Sequence, residues 1–449
     1  MTDDPVNLED RFRELFAHLG LRRAHIAGGY ALDAVTLARA LPDAIASITL
    51  VCPYRLPSEP FARLGDRVLF VYGDSGPNST SVPRVLAELP RARSFQLRDY
   101  ADAAWADAVA ERRAEIEPVL LDFLALGQDV APVPLDAGVG TCAGITYRVA
   151  GSGPPLVLLP LSLARSQWDP LLETLSTRYT TVLLGGAHLG FVPTLESRMR
   201  GGYQTVVRNV VEAAAPHAGE RVVEVGCGSG AVIRWLAGHL GPANPLVGVD
   251  VNDYLLREAA DLTRQAGLDQ QITFERGDAE ELPLPSDSFD VTLSFTVMEE
   301  LDAERMMAEL VRITRPGGRI GVVVRATDML PWLNLDLPDA LQRAVDGVTG
   351  AGADVRGCSD RSLYGRFVAA GLQDLVMGPQ FGTDTAARSP ERLRLFAARI
   401  AQGLPRQESD AFREHVRRAV EVGTMVWAEP YHCATGRKPT PTRVQRPSG

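Results

Sequence analysis

Apolar residues recur at Leu8, Phe12, Leu15, Phe16 and Leu19, the spacing of one face of a helix, and Gly20 follows where such a helix ends. Three short apolar runs come next: RAHIAG over 23–28, SITLVCP over 47–53 and RVLFVYG over 67–73. They alternate with helical segments such as Val35 to Leu41, a rhythm that predicts a parallel sheet. Residues 126–144 hold prolines and glycines but few helix formers, and predict a linker or a turn-rich strand pair. The alternation then restarts with strands over 145–150, 156–159 and 181–184 and a helix over 168–175. From Gly201 a third series opens with a helix over 206–214, followed by strands at 221–225, 246–249 and 272–276. A fourth strand, VTLSF, follows Phe289-Asp290, then a helix over 303–314 and a fifth strand ending at Val324. Helices over 391–401 and 408–422 and a last strand over 425–435 complete the pattern. The fold class is therefore α/β, with domains over 1–198 and 199–438 and a disordered tail over 439–449.

Composition narrows the functional classes. Apolar residues make up 45% of the 449 and charged residues 23%, ordinary usage for a folded chain that excludes collagen-like and wholly disordered readings. The net charge of −10 works against phosphate backbones and anionic lipid, so neither nucleic acid nor membrane is an expected partner. Five scattered cysteines with no C-x-x-C pair suggest neither a disulfide framework nor a zinc site. The acidic start MTDDPVNLED has no basic, apolar leader pattern, which makes a cytoplasmic location the expectation.

The clearest chemistry lies in VVEVGCGSG over 222–230, a strand running into a glycine turn and then a helix over 231–240. Glycines at 226, 228 and 230 let backbone amides approach a ligand closely. Asp250, at the end of the next strand, stands where a carboxylate accepts both hydroxyls of a ribose. A dinucleotide enzyme is the rival reading, but its pyrophosphate loop needs the third glycine one place later and has no use for Glu224 beside phosphate. Glu224 instead suits an ammonium or sulfonium ligand. A third strand ends in Gly277-Asp278-Ala279, where a carboxylate takes an adenine amino proton and the next amide meets a ring nitrogen.

The blocks EVGCGSG, GVD, GDAEELPLPSDSFD and RPGGRI resemble the class I S-adenosylmethionine-dependent methyltransferases of the small-molecule branch, over about 201–438. The resemblance implies a Rossmann-like seven-stranded sheet whose last strand is antiparallel, and S-adenosylmethionine as cofactor. It implies that Glu224, Gly226, Gly228 and Gly230 hold the methionine portion, Asp250 the ribose, and Asp278 with Ala279 the adenine. Residues 294–300, beginning with Ser294, would line the methyl face. Candidate bases are Glu299, Glu300 and His432, with Arg325 and Asp328 after the fifth strand; the plainer reading of His432 is a half-buried strand residue. The family's Asn-Pro-Pro-Tyr signature of base methylation is replaced by SFTVME, which points away from nucleic-acid bases and toward a small-molecule acceptor. Met329, Leu330, Trp332, Leu333 and Leu335, with the two later helices, either cap an apolar substrate or close a core, the core being the plainer reading.

Residues 8–124 resemble the later half of an α/β-hydrolase, and 145–184 its opening strands, so the order reads as circularly permuted. The comparison leaves no catalytic set: Tyr30 stands at the elbow, Gly76 at the acid position and Pro160-Leu161 where His-Gly is usual, and Asp74 reads as a turn-former. The expected roles of this domain are structural, ligand-binding or self-associating. Three functions follow: methyl transfer to oxygen, nitrogen or carbon of a small apolar metabolite; a non-methylating S-adenosylmethionine protein, cyclase or structural; or a binding module led by the N-terminal domain.

Overall fold

The computed structural model describes residues 7–54, 56–76, 78–101, 107–127, 130–350 and 356–440. The chain forms two compact units, Met1–Thr194 and Leu195–Gly449. The division comes slightly before the predicted break at 198, because Glu196 accepts hydrogen bonds from Ser229 (2.7 Å) and Arg234 (2.6 Å) of the later unit. The predicted tail from 441 onward lies outside the described residues.

The N-terminal unit is built on β1 (Ala24–Gly28), β2 (Ile45–Val51), β3 (Val68–Ser75), β4 (Arg93–Ala101), β5 (Gly138–Cys142), β6 (Ile145–Ala150), β7 (Pro155–Leu158) and β8 (Thr180–Gly185). These make one sheet in the order β4-β3-β2-β1-β7-β8-β6-β5. The two sequence segments are thus one sheet, joined where β1 pairs β7 in parallel. Every residue of β1, β2, β7 and β8 is buried, as a parallel sheet covered on both faces requires. Phe12, Leu15 and Leu37 from helices Leu8–His18 and Ala31–Ala40 pack one face. Leu120, Trp168 and Leu171 pack the other. The pattern gave no strand at 93–101, because β4 is an edge on which only Leu97 and Tyr100 are buried. Residues 126–144 contribute one strand, β5, which pairs antiparallel with the predicted strand β6 around Ala143-Gly144, both at positive φ, as a two-residue hairpin turn demands.

The C-terminal unit contains β9 (Val222–Val225), β10 (Leu246–Asp250), β11 (Ile272–Arg276), β12 (Phe289–Phe295), β13 (Thr314–Arg325), β14 (Trp332–Leu333), β15 (Gln373–Thr385) and β16 (Val426–Arg437). Their order is β11-β10-β9-β12-β13-β16-β14, with β15 also on β16. Seven of them form the expected sheet, and β16 runs antiparallel between β13 and β15; the two-residue β14 is an addition. The chain moves outward from β9 to β11 and returns on the other side at β12. That reversal opens a crevice at the carboxyl ends of β9 and β12, where open α/β sheets bind ligands.

Arg319 ties the sheet to helix Gly202–Ala214: its guanidinium donates to the Ala214 and Ala215 carbonyls and to both oxygens of Glu220. That contact holds the Glu220 carboxyl down at about 2. Helices Asp339–Gly350, Pro390–Gly403 and Arg406–Glu421 enclose a core of their own around Val345, Leu393, Phe412 and Trp427. Leu333 and Leu335 pack against it, so for them the core reading holds, whereas Leu330 and Trp332 alternate outward and are exposed. Among the described residues no helix is long and apolar enough to cross a membrane.

Candidate functional site

The site grows from β9, the strand between β10 and β12. After Val225 the chain turns through Gly226 (φ 80°), Gly228 (φ 53°) and Gly230 (φ 76°) into helix Ala231–Leu240. Only glycine fits at 226, because a Cβ there would lie 2.1 Å from a methyl of Val297 as well as in the left-handed region. The turn is pinned from beneath: the amides of Gly226 and Cys227 donate to the Val249 carbonyl at 2.7 and 3.0 Å. The Gly228 amide donates to Asp250 Oδ2 at 2.7 Å.

Glu224 is the anomaly. It is 2% exposed, and its Oε2 has no hydrogen-bond partner among the described residues. Burial pushes its carboxyl well above the usual range and Asp250 adds to this, while the Arg234 guanidinium and the Ile233 amide pull it back. A buried carboxylate oxygen without a partner is costly, and natural structures keep such atoms for a ligand or a proton. Asp250 is also raised by burial, and its two oxygens hold the amides of Gly228 and Asn252 (2.9 Å), leaving further lone pairs for a ligand. Asp278 stands exposed just past β11, accepting from the Glu280 amide at 2.8 Å, with Ala279 buried behind it.

The structure places Ser294 differently from its neighbours in this set. Its hydroxyl is fully buried and donates to the Val225 carbonyl at 2.9 Å, bracing β12 against β9. The candidate bases are also engaged. Glu299, 1% exposed, accepts from the Arg325 amide at 2.5 Å and its guanidinium at 3.2 Å, and burial raises its carboxyl against the pull of Arg325. His432 faces helix Ser362–Ala369, with Nδ1 on the Tyr364 hydroxyl and Nε2 on Asp328 Oδ1, both at 2.7 Å. With both ring nitrogens occupied and little exposure, it links β16 to the loop after β13 and to the helix Ser362–Ala369. Glu300 is exposed.

The pattern missed a polar shell beyond the tip of β12. Thr296, at φ 55°, accepts from Arg198 at 3.1 Å and lies 3.3 Å from the Tyr203 hydroxyl. Burial pushes the Tyr203 phenol up to about 12, so it stays protonated near neutral pH. Ser229 and Arg234, which both bond Glu196, brace the start of the helix after the turn. No local motif marks Arg198, Tyr203 or Glu196, since their partners lie tens of residues away.

The methyltransferase domain family matches residues 223–322, the span from β9 through most of β13. Methyltransferase GfsG of Streptomyces halstedii is 31% identical over 36% of this chain and 58% of its own length. The ubiquinone/menaquinone biosynthesis C-methyltransferase UbiE of Ectopseudomonas mendocina is 32% identical over 26% of this chain and 46% of its own. The chain therefore spans about half the length of these relatives. A solved [4+2]-cyclase, SpnF, aligns at a TM-score of 0.35 and 22% identity over 53% of this chain and 81% of that one. With the glycine turn, the acidic strand ends and the antiparallel last strand in place, the C-terminal unit carries a class I methyltransferase domain.

Proposed function

We propose that the C-terminal unit transfers a methyl group from S-adenosylmethionine to an oxygen, nitrogen or carbon of a small apolar metabolite. The observation that carries this reading is the unpartnered oxygen of Glu224, a buried acceptor next to the glycine turn that would suit the cationic amino-acid end of such a cofactor. The turn at 226–230 would hold the methionine portion, Asp250 the ribose, and Asp278 with the Ala279 amide the adenine. The cofactor supplies an activated methyl group, and the protein's contribution is alignment and exclusion of water. Tyr203 is protonated, Glu299 is paired and His432 is occupied. An acceptor that must lose a proton gives it to water or to exposed Glu300. Leu330 and Trp332, exposed beyond β13, supply apolar surface for the acceptor.

Incubating the full chain with methyl-labelled S-adenosylmethionine and a panel of apolar acceptors should release S-adenosylhomocysteine. Tight cofactor binding with none formed on any acceptor would favour the non-methylating alternative. Affinity should rise as pH rises from the acid side, because burial holds the Glu224 carboxyl above its usual range and a cation beside it expels its proton. Glu224→Gln should weaken binding and flatten that dependence.

For the N-terminal unit we infer a circularly permuted, catalytically empty α/β-hydrolase-like domain with a structural, binding or self-associating role. Counted from Gly138, its strand order becomes 1-2-4-3-5-6-7-8, a single walk across the sheet with one exchange. Tyr30, at φ −70° and ψ 109°, has none of the strain of a nucleophile elbow. Asp74 accepts the amides of Asp99 and Tyr100, which supports the turn-former reading.

A further inference from the structure

At the amino-terminal edge of the first sheet, opposite the Gly28–Tyr30 end, a cleft of about 160 Å³ is lined by three arginines, Arg23, Arg67 and Arg93, one acid, Asp66, and Ser47, Phe123 and Val130. The three arginines meet there because β1 to β4 are parallel neighbours, Arg23 and Arg67 directly precede β1 and β3, and Arg93 begins β4. In a chain of net charge −10, such a cluster calls for compensation. One carboxylate, Asp66, lines the cleft against three guanidiniums, and its ion pair is with Arg91 at 3.4 Å. Among the described residues no ion pair is made by Arg23, Arg67 or Arg93, so the cleft keeps a surplus of positive charge.

Arg67 is also held in place. Its Nη1 donates to the carbonyls of Ile45 (2.7 Å) and Ala46 (3.0 Å), which fix the guanidinium without neutralising it. Burial and the charges of Arg23 and Arg63 lower its pKa despite Asp66. Beneath it, His25 Nδ1 and the Ser47 hydroxyl are 2.8 Å apart. Burial and Arg23 keep His25 neutral near pH 7, its pKa lowered to about 4. The opposite wall is apolar: Phe123 and Val130 are 5% exposed each, and Leu126 beside them is 61% exposed. A fixed cation flanked by two exposed ones suits an oxyanion, and the wall suits an apolar body behind it. The volume is that of a cavity able to admit benzene, ~150 Å³.

We propose that this cleft is a binding site for a small carboxylate carried on an aromatic or aliphatic body, separate from the methyltransferase site. Sodium benzoate and inorganic phosphate are the probes, titrated calorimetrically into the full chain at matched ionic strength. Benzoate should bind saturably with one site per chain, and phosphate more weakly because it leaves the apolar wall uncovered. Arg23→Gln with Arg93→Gln, both exposed side chains, should weaken benzoate about tenfold or more through lost charged hydrogen bonds. Arg84→Gln, on an exposed helix position, should change it less than about twofold. An unchanged thermal transition of the double variant keeps misfolding out of the result. No saturable benzoate binding, benzoate binding equal in the double variant, or phosphate binding as tight as benzoate would each overturn the assignment.

Discussion

The two units bring a strand tip, a glycine turn and a helix to the same kind of crevice, yet they differ in whether the buried acid beside it has its hydrogen bond. In the N-terminal unit β1 ends at Gly28-Gly29-Tyr30, and the amides of Gly29 and Tyr30 both donate to the Pro160 carbonyl at 3.2 Å. A Cβ on Gly29 would sit 2.3 Å from the Leu161 carbonyl oxygen and 2.4 Å from that of Val51, so the tip is sealed by backbone. Its buried acid, Asp33, is bonded to the Gly190 amide at 2.7 Å. In the C-terminal unit the buried acid lies on the strand before the turn, and Glu224 keeps an oxygen without a partner among the described residues. A shared architecture thus gives a closed tip or a binding tip, according to whether the next loop satisfies the buried groups or leaves them open.

Four experiments break or sharpen this contrast. The largest effect is expected from Gly226→Ala: overpacking against Val297 and left-handed strain should cost roughly 3 kcal/mol, about 100-fold in S-adenosylmethionine affinity by calorimetry. Next, Asp250→Ala should weaken the same binding by ~1–3 kcal/mol, from lost ribose contacts and a loosened Gly228. Unchanged affinity in either case would remove the cofactor assignment.

The third concerns titration of two buried groups of the N-terminal unit, Asp33 at the closed tip and His25 at the other end of β1. Asp33 is pushed up to about 8 from 3.8 by burial, so its folded form holds a proton that the unfolded form has lost. Stability from Asp33 is therefore complete below 3.8 and declines as pH rises to about 8. His25, lowered to about 4 from 6.5, works in the opposite sense: its contribution is present above 6.5 and is lost as pH falls to about 4. Between about 4 and 6.5 the two slopes oppose each other, and from 6.5 to about 8 only that of Asp33 remains. Urea unfolding of the full chain, with exchange of β1 and β2 amides to assign the transition, should show the unit weakening over that upper window. Asp33→Asn should remove the decline and gain ~1–2 kcal/mol at pH 8. A decline that persists in the variant would mean that Asp33 is not its source.

The smallest effect is the most pointed. Tyr30→Ser installs a hydroxyl at the elbow position, yet it should yield no hydrolysis of a p-nitrophenyl ester, because no strained turn or paired histidine supports it. Measurable turnover would reopen the sealed tip as a latent active site.

Much of the binding tip was legible because its signals are local. A buried strand, three glycines within five residues and acids at successive strand ends lie in short windows, and each constrains backbone conformation by itself. The roles of Ser294, Glu299 and His432 were not legible. Ser294 bonds a carbonyl 69 positions away, and His432 depends on Asp328, 104 positions away, and on Tyr364, 68 away. The edge strand β4 escaped for a different reason: with one face in solvent and two buried residues, it carries too little apolar periodicity.

The α/β alternation, the glycine turn and the order of the acids at the strand ends follow from local sequence, through side-chain burial and φ values that only glycine adopts cheaply. Which buried acid lacks a partner, and which cationic cluster carries a surplus of charge, emerges only once the chain is folded. Satisfaction of a polar group depends on what the rest of the chain brings within about 3 Å of it, and that proximity is set by packing between segments far apart in sequence.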